Sequence, residues 1–239
     1  MIIYITGIQG GVGKSFTTFL ALNEYRDEKP IIIETETDNT NLFKAVCKEE
    51  TKDGKFITKD DIEFYKIDTD TGDGWYQITE IALNNINRPI IINSPARNKQ
   101  AIDNYGTYFN DLKDAKIDVV TLFVISNKQD SINHLGDYLD IIDTRICVVK
   151  NQGTDRRMTF ELFDNSSYNN IGIPSVLIKN SPNVIQNEIF NQRKLISELL
   201  EDGRPAMRIA IKQYLEQNTV IKNAVKAAVY YNDLLKKEE

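Results

Sequence analysis

The sequence predicts a doubly wound α/β fold: a mostly parallel sheet with helices on both faces and a helical C-terminal region. Two observations carry that prediction. Short β-branched runs recur along the chain, and most are apolar throughout, as strands buried on both faces of a parallel sheet are. Between them lie stretches whose apolar residues recur every three or four positions, as on one face of a helix. Alternation of strand and helix implies right-handed crossovers. At 239 residues and 41% hydrophobic, the chain carries roughly a hundred apolar side chains, enough for one large core.

The expected strands, in order, are residues 2–6, 31–34, 64–67, 90–93, 119–125, 145–149 and 174–178. A first helix presents Phe16, Phe19, Leu20, Leu22 and Tyr25, and another presents Trp75, Ile78, Ile81, Ala82 and Ile86. Residues 48–61 are charged around Asp53-Gly54 and read as an exposed loop or β-turn excursion, not a linker. Trp75, after Gly72-Asp73-Gly74, belongs either to a helix start that packs an aromatic or to a switch loop, and packing is the favoured reading. His134 falls in a helix over 130–142 as a surface or packing residue. Beyond residue 178 the chain turns helical: 184–200, 205–216 with Pro205 in its first turn, and 218–237 with Ile221, Ala224, Val225, Ala228, Val229 and Leu234 on its apolar side. No repeat or low-complexity tract appears. We expect a single domain over 1–239, with a sheet core to about 180 and C-terminal helices over about 184–237.

Composition narrows the function. With 29 Lys+Arg against 35 Asp+Glu the net charge is −6, which excludes polyanion binding by bulk charge. DNA contact would need a local patch, for which Lys222 and Lys226, four apart on one helix, are the best candidates. Cys47 and Cys147 fit neither a disulfide framework nor a CxxC metal site, so a reducing, cytoplasmic setting is expected. A single histidine argues against a His-based zinc or triad site. No signal peptide, membrane span or cationic amphipathic anchor is expected. This describes a cytosolic enzyme or switch.

The decisive segment is Gly7-Ile8-Gln9-Gly10-Gly11-Val12-Gly13-Lys14-Ser15, between the first strand and the first helix. Clustered glycines let the backbone approach an anion, and the helix N-terminus adds its partial positive charge. Lys14 would reach the β- and γ-phosphates and Ser15 would ligate Mg²⁺. The competing reading is a glycine-rich turn before an ordinary helix. A strict GxxxxGK[ST] pattern fails, because Ile8 stands at its first glycine.

Residues 9–15 closely resemble the deviant Walker A loop, KGGVGK[ST], of the ParA/MinD family of P-loop ATPases. Glu34-Thr35-Glu36-Thr37-Asp38 resembles that family's Asp-x-Asp stretch, and Ile91-Ile92-Asn93-Ser94-Pro95-Ala96 resembles its Walker B end. Val148-Val149-Lys150-Asn151 sits where the family carries an adenine-reading asparagine, although Asn180 and Pro182 could serve the base instead. The resemblance covers roughly residues 1–180, and the plasmid-borne StbB and TraL branch is closest in size and loop. It implies ATP and Mg²⁺ as cofactors. Gln9, Gly10, Gly11, Val12, Gly13, Lys14, Ser15, Phe16 and Asn151 would contact nucleotide, Ser15 and Glu34 the metal, and Lys14, Glu34 and Asn93 would take part in hydrolysis. It further implies a nucleotide-dependent homodimer, a plasmid-encoded protein partner, and a role in plasmid stability, partition or conjugation.

Three departures point one way. The family's signature lysine is Gln9, its Walker B carboxylate is Asn93, and its paired aspartates are Glu34 and Glu36, each one methylene longer. All three suggest slow or absent hydrolysis with binding retained. Glu34, Glu36 and Asp38 would share one face at the C-terminal end of a strand, where α/β sheets place ligands. Arg97 and Lys99 could supply the missing cation or lie in a solvated loop. Two other readings stay open. One is a dethiobiotin-synthetase-type ligase, which would draw on Ser94, Arg97 and Lys99; the other is a non-catalytic interaction protein.

Overall fold

The computed structural model describes residues 1–7, 9–36, 40–50, 56–96, 98–153 and 155–238, and for residues 49, 50, 61 and 232–238 the backbone alone. The chain runs β1 (Ile2–Thr6), α1 (Lys14–Glu24), β2 (Ile31–Glu34), α2 (Asn41–Val46), β3 (Cys47–Glu50), β4 (Phe56–Thr58), β5 (Glu63–Lys66), α3 (Gly72–Asn84) and β6 (Ile90–Asn93). It continues with α4 (Lys99–Tyr105), α5 (Tyr108–Asp111), β7 (Val119–Ile125), α6 (Gln129–Ile141), β8 (Arg145–Asn151), α7 (Glu161–Asp164), α8 (Ser167–Asn170) and β9 (Ser175–Ile178). The helices α9 (Asn183–Gln186), α10 (Ile196–Leu200), α11 (Pro205–Asn218) and α12 (Ile221–Glu238) follow.

Seven strands form one parallel sheet in the order β5-β2-β6-β1-β7-β8-β9. Because strand side chains alternate between faces, β1 sends Ile3 and Ile5 into one layer and Ile2 and Tyr4 into the other. The first layer takes α1, α2 and the C-terminal helices, through Phe19, Leu42, Met207, Ile221 and Ala224. The second takes α3 to α7, through Trp75, Ile102, Phe109, Leu135 and Phe163. The doubly wound prediction is therefore the fold observed.

The chain winds outward from β1 to β2 and β5, returns to β6, and then crosses to β7. Ligands bind beyond the C-terminal strand ends at such a reversal. The register places the ends together: Glu34 of β2 lies opposite Asn93 of β6, which lies opposite Ile5 of β1.

Trp75 is buried, as expected, and its indole N–H donates to the Thr69 carbonyl at 2.8 Å. His134 is half-buried beside Asp137 on α6. The excursion at 48–61 is an antiparallel hairpin of β3 and β4, although its Asp53-Gly54 lies outside the described residues. One element differs. Residues 184–200 form no continuous helix: α9 widens into a π-type turn over Asn187–Asn191, Arg193 takes φ 55°, and α10 restarts at Ile196. The apolar spacing of Ile185, Ile189, Ile196 and Leu199 suits a helix, yet all four reach the same core across the break. On the same layer, the Glu24 carboxylate at the end of α1 accepts from the Ile221 and Lys222 N–H groups at 3.0 and 2.8 Å. It thereby caps α12 and ties it to the loop-bearing helix.

Candidate functional site

The glycine loop runs from β1 into the N-terminus of α1, and its backbone leaves the ordinary regions where the sequence has glycine. Gly11 sits at φ 77° with nothing within 4 Å of where a Cβ would be, so its backbone is open to the cleft. Gly13 caps α1 at φ 102°, and a Cβ there would collide with the Asn151 amide. Lys14, the first residue of α1, is 8% exposed, and its ammonium donates to the Gln9 carbonyl at 3.1 Å. It makes no ion pair among the described residues. Burial pulls its pKa down to about 8, with Glu36 and Glu34 opposing the shift. A buried cation held by one carbonyl, an open loop and a helix N-terminus together suit an anion with several oxygens.

A cleft of about 340 Å³ opens over this loop, lined by Gly10, Gly11, Lys14, Ser15, Phe16 and Glu36, with Asn151, Gln186 and Phe190 among its other walls. The structure thus brings Gly10, Gly11, Gly13, Lys14, Ser15, Phe16 and Asn151 to one cavity. Val12 lies in the core with its carbonyl turned to Asn151. Gln9 is held at its side chain, where Ser126 Oγ donates to its Oε1 at 2.5 Å. Ile8, Asp38 and Arg97 lie outside the described residues.

The acid side is built differently. Asn93 Nδ2 donates to both Glu34 oxygens at 3.0 Å, and Thr18 Oγ1 lies 3.0 Å from Asn93 Oδ1 and from the Lys14 carbonyl. Thr40 Oγ1 donates to Glu34 at 2.7 Å, and the Glu36 N–H donates to it at 3.3 Å. Glu34 is fully buried, and that burial pushes its pKa up to about 7 despite these donors. Both its oxygens are engaged within the protein, so the carboxylate that lines the cleft is Glu36. Among the described residues no cluster of three or more His, Cys, Asp or Glu side chains is arranged to hold a metal. Ser15 and Glu36 are the protein groups here that could meet a Mg²⁺ carried on phosphate oxygens, which asks few ligands of the protein.

Asn151 ends β8, and its side chain is committed to the loop: Nδ2 donates to the Val12 carbonyl at 2.9 Å, while Oδ1 accepts from the Gly153 N–H at 3.1 Å. A role in reading adenine would compete with that clamp. Lys99 turns away from the loop to Asp137 and Asp103, at 3.1 and 3.5 Å on the exposed side of α4. Ser94 Oγ donates to Thr6 Oγ1 at 3.0 Å. The Lys222 ammonium pairs with Glu28 at 2.7 Å, leaving Lys226 as the exposed cation of that helix face. Among residues the sequence reading passed over, Thr18 and Thr40 complete the acid network, and Gln186 and Phe190 wall the cleft. Thr18 was detectable as the helical i+4 neighbour of Lys14. The other three carry no local signature.

No protein-family model matches the chain. Among solved structures it is similar to McdA of Cyanothece. An ATP complex of a McdA variant aligns at TM-score 0.56 and 17% identity, over 90% of this chain and 95% of that one. Apo McdA aligns at TM-score 0.51 and 14% identity, over 90% and 98%. The fold is thus a P-loop NTPase fold, a seven-stranded parallel sheet flanked by helices, shared with McdA. No helix among the described residues is long and apolar enough to cross a membrane. In sequence, Protein MobD of Acidithiobacillus ferrooxidans is 30% identical over 209 residues, covering 84% of this chain and 87% of the relative. That identity, sustained over most of both chains, makes this protein a member of the MobD family.

Proposed function

We propose that the protein is an ATP-binding switch of the ParA/MinD type, acting in the cytoplasm in plasmid mobilisation or a related step of plasmid maintenance or conjugation. One observation carries the reading: a buried Lys14 with no ion pair among the described residues, set between an open glycine loop and the N-terminus of an 11-residue helix. The MobD relative supports a mobilisation-related role, and the ATP complex of a protein of this fold supports the nucleotide. When bound, ATP·Mg²⁺ would supply the reactive phosphoanhydride and the metal that draws charge from it. The chain's part is to bind and orient. Backbone N–H groups of residues 10–15 and Lys14 hold the phosphates, Ser15 meets the metal, Asn151 fixes the loop, and Glu36 offers the carboxylate nearest the phosphate end.

Turnover by the isolated chain should be slow. Gln9 brings no charge, and Asn93 presents an amide where the family has a carboxylate, so the interactions that grow in the transition state are the weakened ones. A nucleotide-favoured homodimer that is released by a plasmid-encoded partner, which supplies the missing cation, fits that imbalance. Calorimetric titration with ATP·Mg²⁺ tests the reading. The parent should bind one nucleotide per chain, and Lys14→Ala should bind at least tenfold more weakly, about 1.4 kcal/mol. A parent that does not bind, or a variant that binds equally well, would overturn it.

A further inference from the structure

A second cavity, of about 310 Å³, lies at the other end of α1 from the glycine loop. Eleven helical residues separate the two, about 16 Å of rise. Its walls come from the strand-start side of the sheet: Pro30 precedes β2, Arg88 precedes β6, Ile62 precedes β5, and Leu195 and Ile196 open α10. Phe19, Leu22, Leu195 and Ile196, each at most 6% exposed, give it an apolar floor. The volume is at the lower end of what small-ligand sites occupy, roughly 300–1,000 Å³.

The rim is cationic. Arg26, Lys29 and Arg88 converge on one mouth, linked directly: the Lys29 N–H donates to the Arg26 carbonyl at 3.0 Å, and Arg88 Nε donates to the Lys29 carbonyl at 2.9 Å. The acids there, Asp60 of the cavity wall among them, are already engaged. Asp60 takes Arg26 at 3.3 Å and the Ser197 hydroxyl at 3.0 Å, while Glu63 takes Arg88 Nη1 at 2.5 Å together with the Tyr65 hydroxyl. Glu201 stands 4.0 Å from Arg26. The Lys29 ammonium and Arg88 Nη2 have no partner among the described residues. Lys29 also holds φ 50°, a left-handed conformation that is unfavourable for a non-glycine residue and that the Arg88 bond secures. A strained backbone presenting an unpaired cation over an apolar floor suits an amphipathic monoanion.

We propose that this cavity is a second binding site, distinct from the glycine-loop cleft, for a small apolar molecule bearing one carboxylate, sulfonate or phosphate. The apolar body rests on Phe19, Leu22, Leu195 and Ile196, and the anion meets Lys29 and Arg88. The probes are 1-anilinonaphthalene-8-sulfonate and its uncharged analogue N-phenyl-1-naphthylamine, followed by fluorescence on the full chain. The sulfonate should bind saturably at one site. Lys29→Glu, a change at an exposed side chain, should weaken the sulfonate by about fivefold or more, because reversal replaces an attraction by a repulsion. The neutral analogue should stay within about twofold. Asn23→Trp, which fills the cavity from α1, should remove both probes, and Lys14→Ala should change neither. The proposal is overturned if the sulfonate shows no saturable binding, as it would if the mouth seats a partner's acidic segment. It is equally overturned if Lys29→Glu affects both probes alike or neither, if Asn23→Trp leaves binding intact, or if Lys14→Ala abolishes it. Circular dichroism of each variant confirms that a loss is not unfolding.

Discussion

The glycine loop and the acid ends of β2 and β6 flank one cleft, yet they are built on opposite plans. The loop keeps its polar groups in reserve: Gly11 open to the cleft, Lys14 buried on a single carbonyl. The acid side has satisfied itself, with Glu34 taking hydrogen bonds from Asn93, Thr40 and the Glu36 backbone. An unpaired buried cation is costly until an anion arrives, whereas a satisfied buried carboxylate has little to gain from a metal. On the proposed reading, binding and turnover are separated inside one site: the loop is left ready for an anion and the carboxylate is already satisfied. The carboxylate of this pair stands on β2 at residue 34, and the amide beside it on β6 at residue 93.

Adding the missing carboxylate is the largest perturbation. Asn93→Asp would set two carboxylates about 3 Å apart in a dry site, and like charges so placed cannot both ionise cheaply. We expect a stability loss on the order of 3 kcal/mol at pH 8, clearly smaller at pH 5 where Glu34 is protonated. Urea unfolding at the two pH values measures it. A loss equal at both would mean packing, not charge, sets the cost.

Glu34 should also shape the pH dependence of the parent. Its pKa is raised from 4.5 to about 7 by burial, so between those values the folded state holds a proton that the unfolded state has lost. Stability therefore falls as pH rises through that window, by on the order of 3 kcal/mol at most. Glu34→Gln should flatten the slope. If the parent and variant curves run parallel from pH 4.5 to 7, the burial argument fails.

On the loop side the pKa shift runs the other way. Lys14 has a pKa lowered to about 8, and phosphate binding favours its charged form, so nucleotide affinity should fall as pH rises past 8. About a tenfold drop between pH 8 and 9.5 is expected for ATP, and none for Lys14→Ala. A parent whose affinity is flat over that range would place the ammonium away from the phosphates.

The smallest expected effect is at Asn151. Asn151→Ala removes a clamp on the loop and should weaken ATP and GTP alike, by about 1 kcal/mol or fivefold. Loss confined to ATP would restore the adenine-reading role.

How much of this was legible beforehand follows the range of the interactions. β1, β2, β6 and β7 match their expected bounds because buried parallel strands are unbroken apolar runs, a purely local signal. The loop's shape was legible for the same reason, since its glycines act through their own backbone and Lys14 opens the helix beside them. What the sequence hid is non-local. Residues 187–195 carry no glycine or proline to mark the break in the expected helix, and Phe190 reaches the cleft wall through that break. The pairing of Glu34 with Asn93 spans 59 positions and depends on strand register, so the two departures read separately when together they form one buried carboxylate–amide pair.

That one carboxylate stands against one amide here is the central claim, and a four-variant unfolding cycle at pH 8 tests it most directly. Parent, Glu34→Gln, Asn93→Asp and Glu34→Gln/Asn93→Asp would be compared in urea without nucleotide. The account predicts that the double variant, again one carboxylate beside one amide, recovers at least about 2 kcal/mol of what Asn93→Asp loses. A double variant no more stable than Asn93→Asp alone would contradict it.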